Sequence, residues 1–302
     1  MTDQRIEFDF ELEFTNGGGL AGTGFRLDVP DAEVSDDWLA QALVRDLRLL
    51  MVGPVRIRNR RVIEEPHKRG LDDAADARPA HPSRRLIDLS HPIVEGMTTY
   101  AGLPVPEIRP FLTREASVGK YAPGVTFAID VIELCGNTGT YIDSPFHRHA
   151  DGDDLAGLSL ERHVDVPGIR VDVTGSAEPG VTARQLAPYE LRGRAVIVHT
   201  GFARHWGTDA YFSGNPFLTA DAVDHLVLEG AALVGIDSVN IDAMNDAARP
   251  AHSNLLGAGI PIVEHLTGLE QLPVEGFTFT ALPAPVRGTG TFPIRAVASV
   301  PA

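Results

Sequence analysis

The chain has one cysteine, Cys135, among 302 residues. A single thiol excludes an intramolecular disulfide and any cysteine-cluster metal site, so a bound metal must be held by histidine and carboxylate. No apolar run approaches the ~18 to 20 residues of a membrane-spanning helix. The first ten residues, MTDQRIEFDF, carry acids where a secretory leader would be basic and then apolar. The expectation is a cytoplasmic protein with no membrane partner. Positive charge is also scarce, with 26 Lys and Arg against 41 Asp and Glu and a net charge of −15. Thirteen cations face sixteen acids up to Arg85, and thirteen face twenty-five beyond it. The larger part would repel a phosphate backbone, so the expected partner is a small-molecule substrate and not nucleic acid. What remains, 43% hydrophobic and 22% charged, is ordinary globular composition, with length for about two domains of ~150 residues.

A stretch rich in Asp, Ala and Pro, GLDDAADARPAHPS, has neither helical nor strand period and reads as a linker. It divides the chain into a small strand-rich α+β module at 1–69, a linker at 70–85 and an α/β domain at 86–302. In the module, Ile6, Phe8, Phe10, Leu12 and Phe14 alternate with Glu7, Asp9, Glu11 and Glu13, which predicts a half-buried strand with an acidic outer face. Ser35 caps a predicted helix running toward Leu50, with Asp36 and Asp37 in its first turn. Val55 to Ile63 alternates again with Arg56, Arg58 and Arg60 on one face, which cross-strand pairing would set against the acidic row. The GGGLAG run at 17–22 formally matches a dinucleotide-binding loop, but a strand pattern and not a helix follows it, so it reads as a hairpin.

Beyond the linker the pattern is mixed α/β. Predicted strands are Leu86 to Leu89, Thr126 to Leu134, Ile169 to Val173, Ala195 to Thr200, Ala232 to Ile236, Phe277 to Leu282 and Phe292 to Ala298. A helix capped by Thr219 is predicted to run to Glu229 with Ala222, Val223, Leu226 and Val227 on its apolar face.

The segment Cys135 to His149, CGNTGTYIDSPFHRH, carries the chemistry. It follows an apolar strand. Asn137, Tyr141, Asp143 and His147 all occupy odd positions, so extended backbone projects them to one side. Asp143 and His147 offer a carboxylate oxygen and an imidazole nitrogen, donors that suit zinc and, less selectively, manganese or iron. More than 100 residues on, His252 opens a helical pattern and Glu264 ends the strand-like GIPIVE, so both tips can reach one sheet edge. Phe127, Phe146, Phe202, Trp206 and Phe217 are candidate aromatic lining. Cys135, at a strand end, is expected to be a buried, inert thiol. His149, His163, His205 and His225 are expected to be ordinary exposed imidazoles. No G-x-S-x-G elbow and no H-E-x-x-H motif is present.

From about Leu86 to Ala298 the chain resembles the cyclase family of bacterial metal-dependent hydrolases, which includes arylformamidases, kynurenine formamidase-like proteins and isatin hydrolases. The residues that carry the resemblance are Asp88-Leu-Ser-His-Pro92, Gly139-Thr-Tyr-Ile-Asp-Ser-Pro-Phe-His147, His199-Thr-Gly-Phe202, Gly235-Ile-Asp-Ser238, the His252 to Glu264 spacing, and Phe292-Pro-Ile-Arg-Ala-Val297. It implies a swivelling β/β/α architecture and a homo-oligomer. The family's central motif reads H-x-G-T-H-x-D-x-P-x-H, and here its first two histidine positions hold Asn137 and Tyr141. A second departure is Tyr100-Ala-Gly-Leu103, where members carry an aromatic-proline-glycine-aspartate turn. By this resemblance Asp143, His147, His252 and Glu264 are the ligands of a single divalent metal, zinc or manganese.

The residues leave three readings open. With a metal, the cluster suits hydrolysis of a small cyclic or aryl amide, with His147 or His252 as general base and Tyr141 donating to the oxyanion. Without one, Asp143 orienting a histidine, Tyr141 as proton donor and Asn137 polarising a carbonyl suit ring closure, ring opening or elimination. The third reading is a non-catalytic binding or regulatory protein. In the catalytic readings Asn137, Phe146 and Phe202 contact the substrate.

Overall fold

The computed structural model describes residues 4–30, 33–64 and 84–301. The chain divides into two compact units, Met1–His81 and Pro82–Ala302. Of the linker expected at 70–85, only Arg84 and Arg85 lie within the described residues, and both belong to a strand.

In the first unit β1 (Gln4–Phe14) sits between β2 (Gly19–Asp28) and β3 (Val52–Glu64), antiparallel to both. The helix α1 (Asp36–Asp46) is capped by the Ser35 side chain, which accepts from the Trp38 amide. The two-residue period of β1 turns Ile6, Phe8, Phe10 and Leu12 onto Leu39, Ala42 and Leu43 of that helix. The acidic and basic rows do meet: Glu11 pairs with Arg58, and Glu7 with Arg26 and Arg61. The register shifts at Asn59, which takes a left-handed φ of 52°. Arg61 therefore replaces Arg60 on the outer face, and Arg60 turns to Asp36 at the start of α1.

In the second unit the elements run β4 (Arg84–Asp88), β5 (Glu107–Leu112), β6 (Ile129–Glu133), β7 (Tyr141–Asp143), β8 (Val166–Asp172), β9 (Gly180–Val181), α2 (Ala183–Leu186), β10 (Ala195–His199) and β11 (Phe217–Leu218). They continue with α3 (Ala220–Glu229), β12 (Leu233–Ile236), α4 (Pro250–Gly257), β13 (Ile262–Glu264), β14 (Glu275–Thr280), β15 (Thr291–Pro293) and β16 (Val297–Pro301). Nine strands form one sheet in the order β15-β7-β13-β12-β10-β8-β14-β16-β4. Its centre, β13-β12-β10-β8, is parallel and its flanks are antiparallel. Alternation along β10 shows how the sheet fills two cores: Val196 and Val198 pack with α3 and α4, whereas Ala195 and Ile197 pack against Phe277, Phe279 and Leu266 on the other face.

Three expected elements differ. The strand predicted at Thr126 to Leu134 is shorter and pairs with β5 in a separate two-stranded ribbon, where Ile129 and Ile132 are exposed. The run Phe292 to Ala298 splits into β15 and β16, which lie toward opposite edges of the sheet. Thr219 holds the N-terminal position of α3, but its hydroxyl donates to Val181 and Asp221 and makes no cap bond. Among the described residues no helix is long and apolar enough to cross a membrane.

Candidate active site

The site is assembled where β7, β13 and α4 converge. β7 runs antiparallel to β13 with Tyr141 opposite Glu264 and Asp143 opposite Ile262, so Tyr141, Asp143 and Glu264 project from one face. The chain then turns through a single 3₁₀ turn opened by Pro145, which carries His147. The loop before β15 clamps this turn. The Ser144 amide donates to the Gly290 carbonyl at 2.8 Å, and a Cβ on Gly290 would lie 2.4 Å from the His147 nitrogen. Only glycine fits there.

His252 comes from the first turn of α4, which also exposes the amides that no preceding helical carbonyl can satisfy. Asp242 answers them across the intervening loop, accepting from the Ala251 amide at 2.7 Å and the His252 amide at 3.1 Å. The same carboxylate lies 2.6 Å from His252 Nδ1. With Asp242 as acceptor, Nδ1 carries a proton, and Nε2 faces Asp143 Oδ2 at 3.7 Å and Glu264 Oε1 at 3.8 Å. Glu264 is itself tied down: its Oε1 accepts from the Ile241 amide at 2.6 Å, and its Oε2 accepts from the Tyr141 hydroxyl.

Asp143 has no such support. It is fully buried, and neither carboxylate oxygen has a hydrogen-bond partner, although an unpartnered buried carboxylate is among the costliest groups a protein can hold. Burial and the neighbouring Glu264 push its carboxyl well up, against the pull of His252 and Arg249. One donor atom each from Asp143, His147 and His252 lie within 4.8 Å of one another, the only such group of three among the described residues. The 3.7 Å gap between Asp143 and His252 is too long for a hydrogen bond, yet both atoms can reach one ion at metal–ligand distances of ~2.0 to 2.2 Å. Three fully buried carboxylates, Asp143, Asp242 and Glu264, meet one partly covered guanidinium, Arg249, whose Nε is 3.7 Å from Asp242. The donor set fits a divalent cation.

The electrostatics of the remaining groups follow from this packing. His147 stands at the exposed rim, yet the protein massed around its ring, together with His252, Arg249 and Arg148, brings its imidazole down to about 4. For His252 burial works downward, but the Asp242 hydrogen bond and the charges of Glu264 and Asp143 outweigh it and raise the imidazole. Burial, then Glu264 and Asp143, push the Tyr141 phenol well up, so it stays protonated as a donor.

The sequence-derived set is thus brought together at Tyr141, Asp143, His147, His252 and Glu264. Asn137 adjoins, facing the Tyr141 hydroxyl and accepting from the Thr291 hydroxyl at 3.2 Å. Phe146 is half-buried on the His147 turn. Phe202 is not brought to the ligand group; it packs in a separate aromatic cluster with Tyr211 and Val239. That cluster supports the site from behind, since the Tyr211 hydroxyl lies 2.9 Å from Nδ1 of His265, the residue after Glu264. Cys135 is only partly covered and His163 is buried, contrary to expectation, with His163 Nδ1 held 2.6 Å from the Ser159 carbonyl. Asp242, Arg249, His265 and Gly290 escaped sequence reasoning. Asp242 stands nine residues before Ala251, the first amide it caps, and Gly290 acts through a backbone contact.

Comparison with known proteins places the second unit in a family. The cyclase family model matches residues 87–243. The kynurenine formamidases of Bacillus cytotoxicus and of Bacillus cereus strain ATCC 14579 are each 28% identical over 212 residues, covering 70% of this chain and 95% of each relative. Among solved structures, isatin hydrolase A from Labrenzia aggregata, bound to benzyl benzoate, superposes with a TM-score of 0.64 at 22% identity, over 72% of this chain and 94% of that one. A structure described as a potential metal-dependent hydrolase with cyclase activity gives 0.59 at 25% identity, over 72% and 98%. These structures share the mixed α/β architecture of the second unit. The chain belongs to the cyclase family.

Proposed function

We propose that this protein hydrolyses a small cyclic or aryl amide at a centre holding one divalent ion, zinc or manganese. The observation that carries the reading is Asp143: a fully buried carboxylate with no hydrogen-bond partner, facing Nε2 of His252 and the rim imidazole of His147. Asp143, His147 and His252 would hold the ion. When bound, it supplies Lewis acidity, polarising an amide carbonyl and bringing the pKa of water toward ~7.

The chain's own groups do the rest. Asp242 fixes the tautomer of His252 and anchors it to α4. His147 is neutral near pH 7 because its imidazole is pulled down to about 4, so it offers a donor lone pair without first losing a proton. Glu264, oriented by Tyr141 and the Ile241 amide and with Oε1 3.8 Å from His252 Nε2, is the carboxylate placed to accept a proton from the attacking water and return it to the leaving amine. Kynurenine formamidase and isatin hydrolase relatives support an amide substrate.

The test combines metal content with turnover. Protein purified without chelators is expected to carry about one divalent ion per chain, to hydrolyse an N-formyl aryl amine or isatin, to lose that activity on chelation and to regain it with zinc or manganese. Metal below about 0.2 per chain that added zinc or manganese does not restore would sink the proposal.

A further inference from the structure

Two guanidinium groups stand at the mouth of the site, and the chemistry above uses neither. Arg249 occupies the position before α4 in a left-handed conformation, φ 49° and ψ 58°. That backbone is uncommon for a residue without a glycine's freedom and is a form of strain that concentrates at functional positions. Its carbonyl accepts from the Ser253 amide at 2.9 Å, which fixes it to the same turn that carries His252. The side chain is 27% exposed, and its Nε lies 3.7 Å from Asp242. Among the described residues its two terminal Nη groups make no hydrogen bond. Arg148 follows the rim residue His147 and leans on the same turn, its Nε 3.3 Å from the Ser253 hydroxyl. Both charges are felt at the centre: Arg249 acts on Asp143 and His147, and Arg148 on His147.

The placement is notable because the part of the chain beyond Arg85 is strongly acidic, and a cation with free donors is scarce at an acidic centre. A half-buried arginine gives up hydration and receives little from a 3.7 Å pair with Asp242. A planar fork with unengaged Nη donors matches a carboxylate. His147 is the exposed member of the centre, and Arg148 follows it directly in the chain.

We propose that Arg249, flanked by Arg148, is the substrate-anion contact, and that the substrate class is an aryl amide bearing a carboxylate beside the scissile bond. The inference rests on the hydrolase reading for its catalytic half; the binding half stands without it.

The test pairs one charged and one neutral substrate, N-formylanthranilate and formanilide, with calorimetric binding of anthranilate to the full chain, metal-replete and after chelation. Wild type is expected to favour N-formylanthranilate in kcat/KM by about 10- to 100-fold, the range of a charge-assisted hydrogen bond. Arg249→Met is expected to bring the two substrates within about threefold, chiefly through KM, and to weaken anthranilate by a similar factor. Arg249→Lys recovers part of the preference, because the charge remains and the fork is lost. Equal losses on both substrates mean that Arg249 only supports Asp242 and overturn the assignment. Anthranilate binding that chelation abolishes and Arg249→Met leaves intact also overturns it. If neither substrate turns over, the hydrolase reading fails, and anthranilate binding still decides the role of Arg249.

Discussion

The hydroxyl of Tyr141 donates to the carboxylate of Glu264 across the β7–β13 pair, where the two residues are direct register partners. The bond joins a phenol that burial keeps protonated to an acid that also accepts from the Ile241 amide. It takes one of the two carboxylate oxygens that Glu264 would otherwise offer at the centre. Position 141 thus holds a hydrogen-bond donor to Glu264.

Tyr141→Phe removes that donor and keeps the ring. Chelated protein is expected to lose roughly 1 to 3 kcal/mol of unfolding free energy, the cost of leaving a buried acceptor unsatisfied. Saturating zinc or manganese should narrow the deficit, because the released oxygen can turn toward the ion. Equilibrium denaturation of both forms measures it, and matching midpoints for wild type and variant without metal would rule out a stabilising role for the bond.

Asp242→Ala tests the support of His252. One carboxylate caps α4 twice and holds His252 Nδ1, so its removal frees two helix amides and the ring tautomer together. Loss of an outer-shell partner of a metal-binding histidine typically weakens metal affinity by ~10- to 100-fold. Titration with zinc should show a drop of that order, alongside a lower melting temperature. Unchanged zinc affinity would mean that His252 needs no orientation from Asp242.

The pattern of side chains carried much of this architecture and little of the support around the site. Strict alternation in β1 and the five-residue apolar β10 were legible because period two and continuous burial leave a direct trace in sequence. Tyr141, Asp143 and His147 were legible because they share one side of one segment, and His252 and Glu264 joined them chiefly through the resemblance to the cyclase family. Asp242 was not, since it caps amides nine and ten residues away through a loop with no periodicity. The ribbon strand β6 looked like core because apolar residues such as Ile129 and Ile132 read the same whether covered or exposed. The break between Pro293 and Val297 depends on which edges of the sheet stood open, a tertiary fact.

Gly290→Ala is expected to displace the His147 turn, since the new Cβ would stand 2.4 Å from its nitrogen and 2.5 Å from its Cα. These are backbone atoms and cannot swing aside. Misplacement of a catalytic group by ~1 Å commonly costs ~10²-fold in rate. Gly175→Ala, where a Cβ meets nothing within 4 Å, is the matched control and should retain full turnover. Equal activity of both variants would show that the turn tolerates movement at Gly290.

Two imidazoles behind the site tie stability to pH on the acid side. His265 is fully buried, with Nδ1 near the Tyr211 hydroxyl and Nε2 without a partner; burial, then the charge of His91, brings it down to about 3. His91 stacks on Trp206 at 4.0 Å between ring centroids, and burial brings it down to about 4. Both are neutral in the fold, whereas the unfolded chain protonates them near 6.5. Below that value the unfolded state binds more protons, so stability falls as pH drops from about 6.5 to about 4, and for His265 to about 3. The pair should together contribute a loss of roughly 3 kcal/mol or more across that window. His265→Asn isolates the effect: asparagine tolerates the left-handed backbone at this position, φ 57°, and does not titrate. Denaturant midpoints at a series of pH values should fall less steeply for the variant between pH 6.5 and 4. Parallel slopes would assign the acid lability instead to His147, whose imidazole is likewise brought down to about 4.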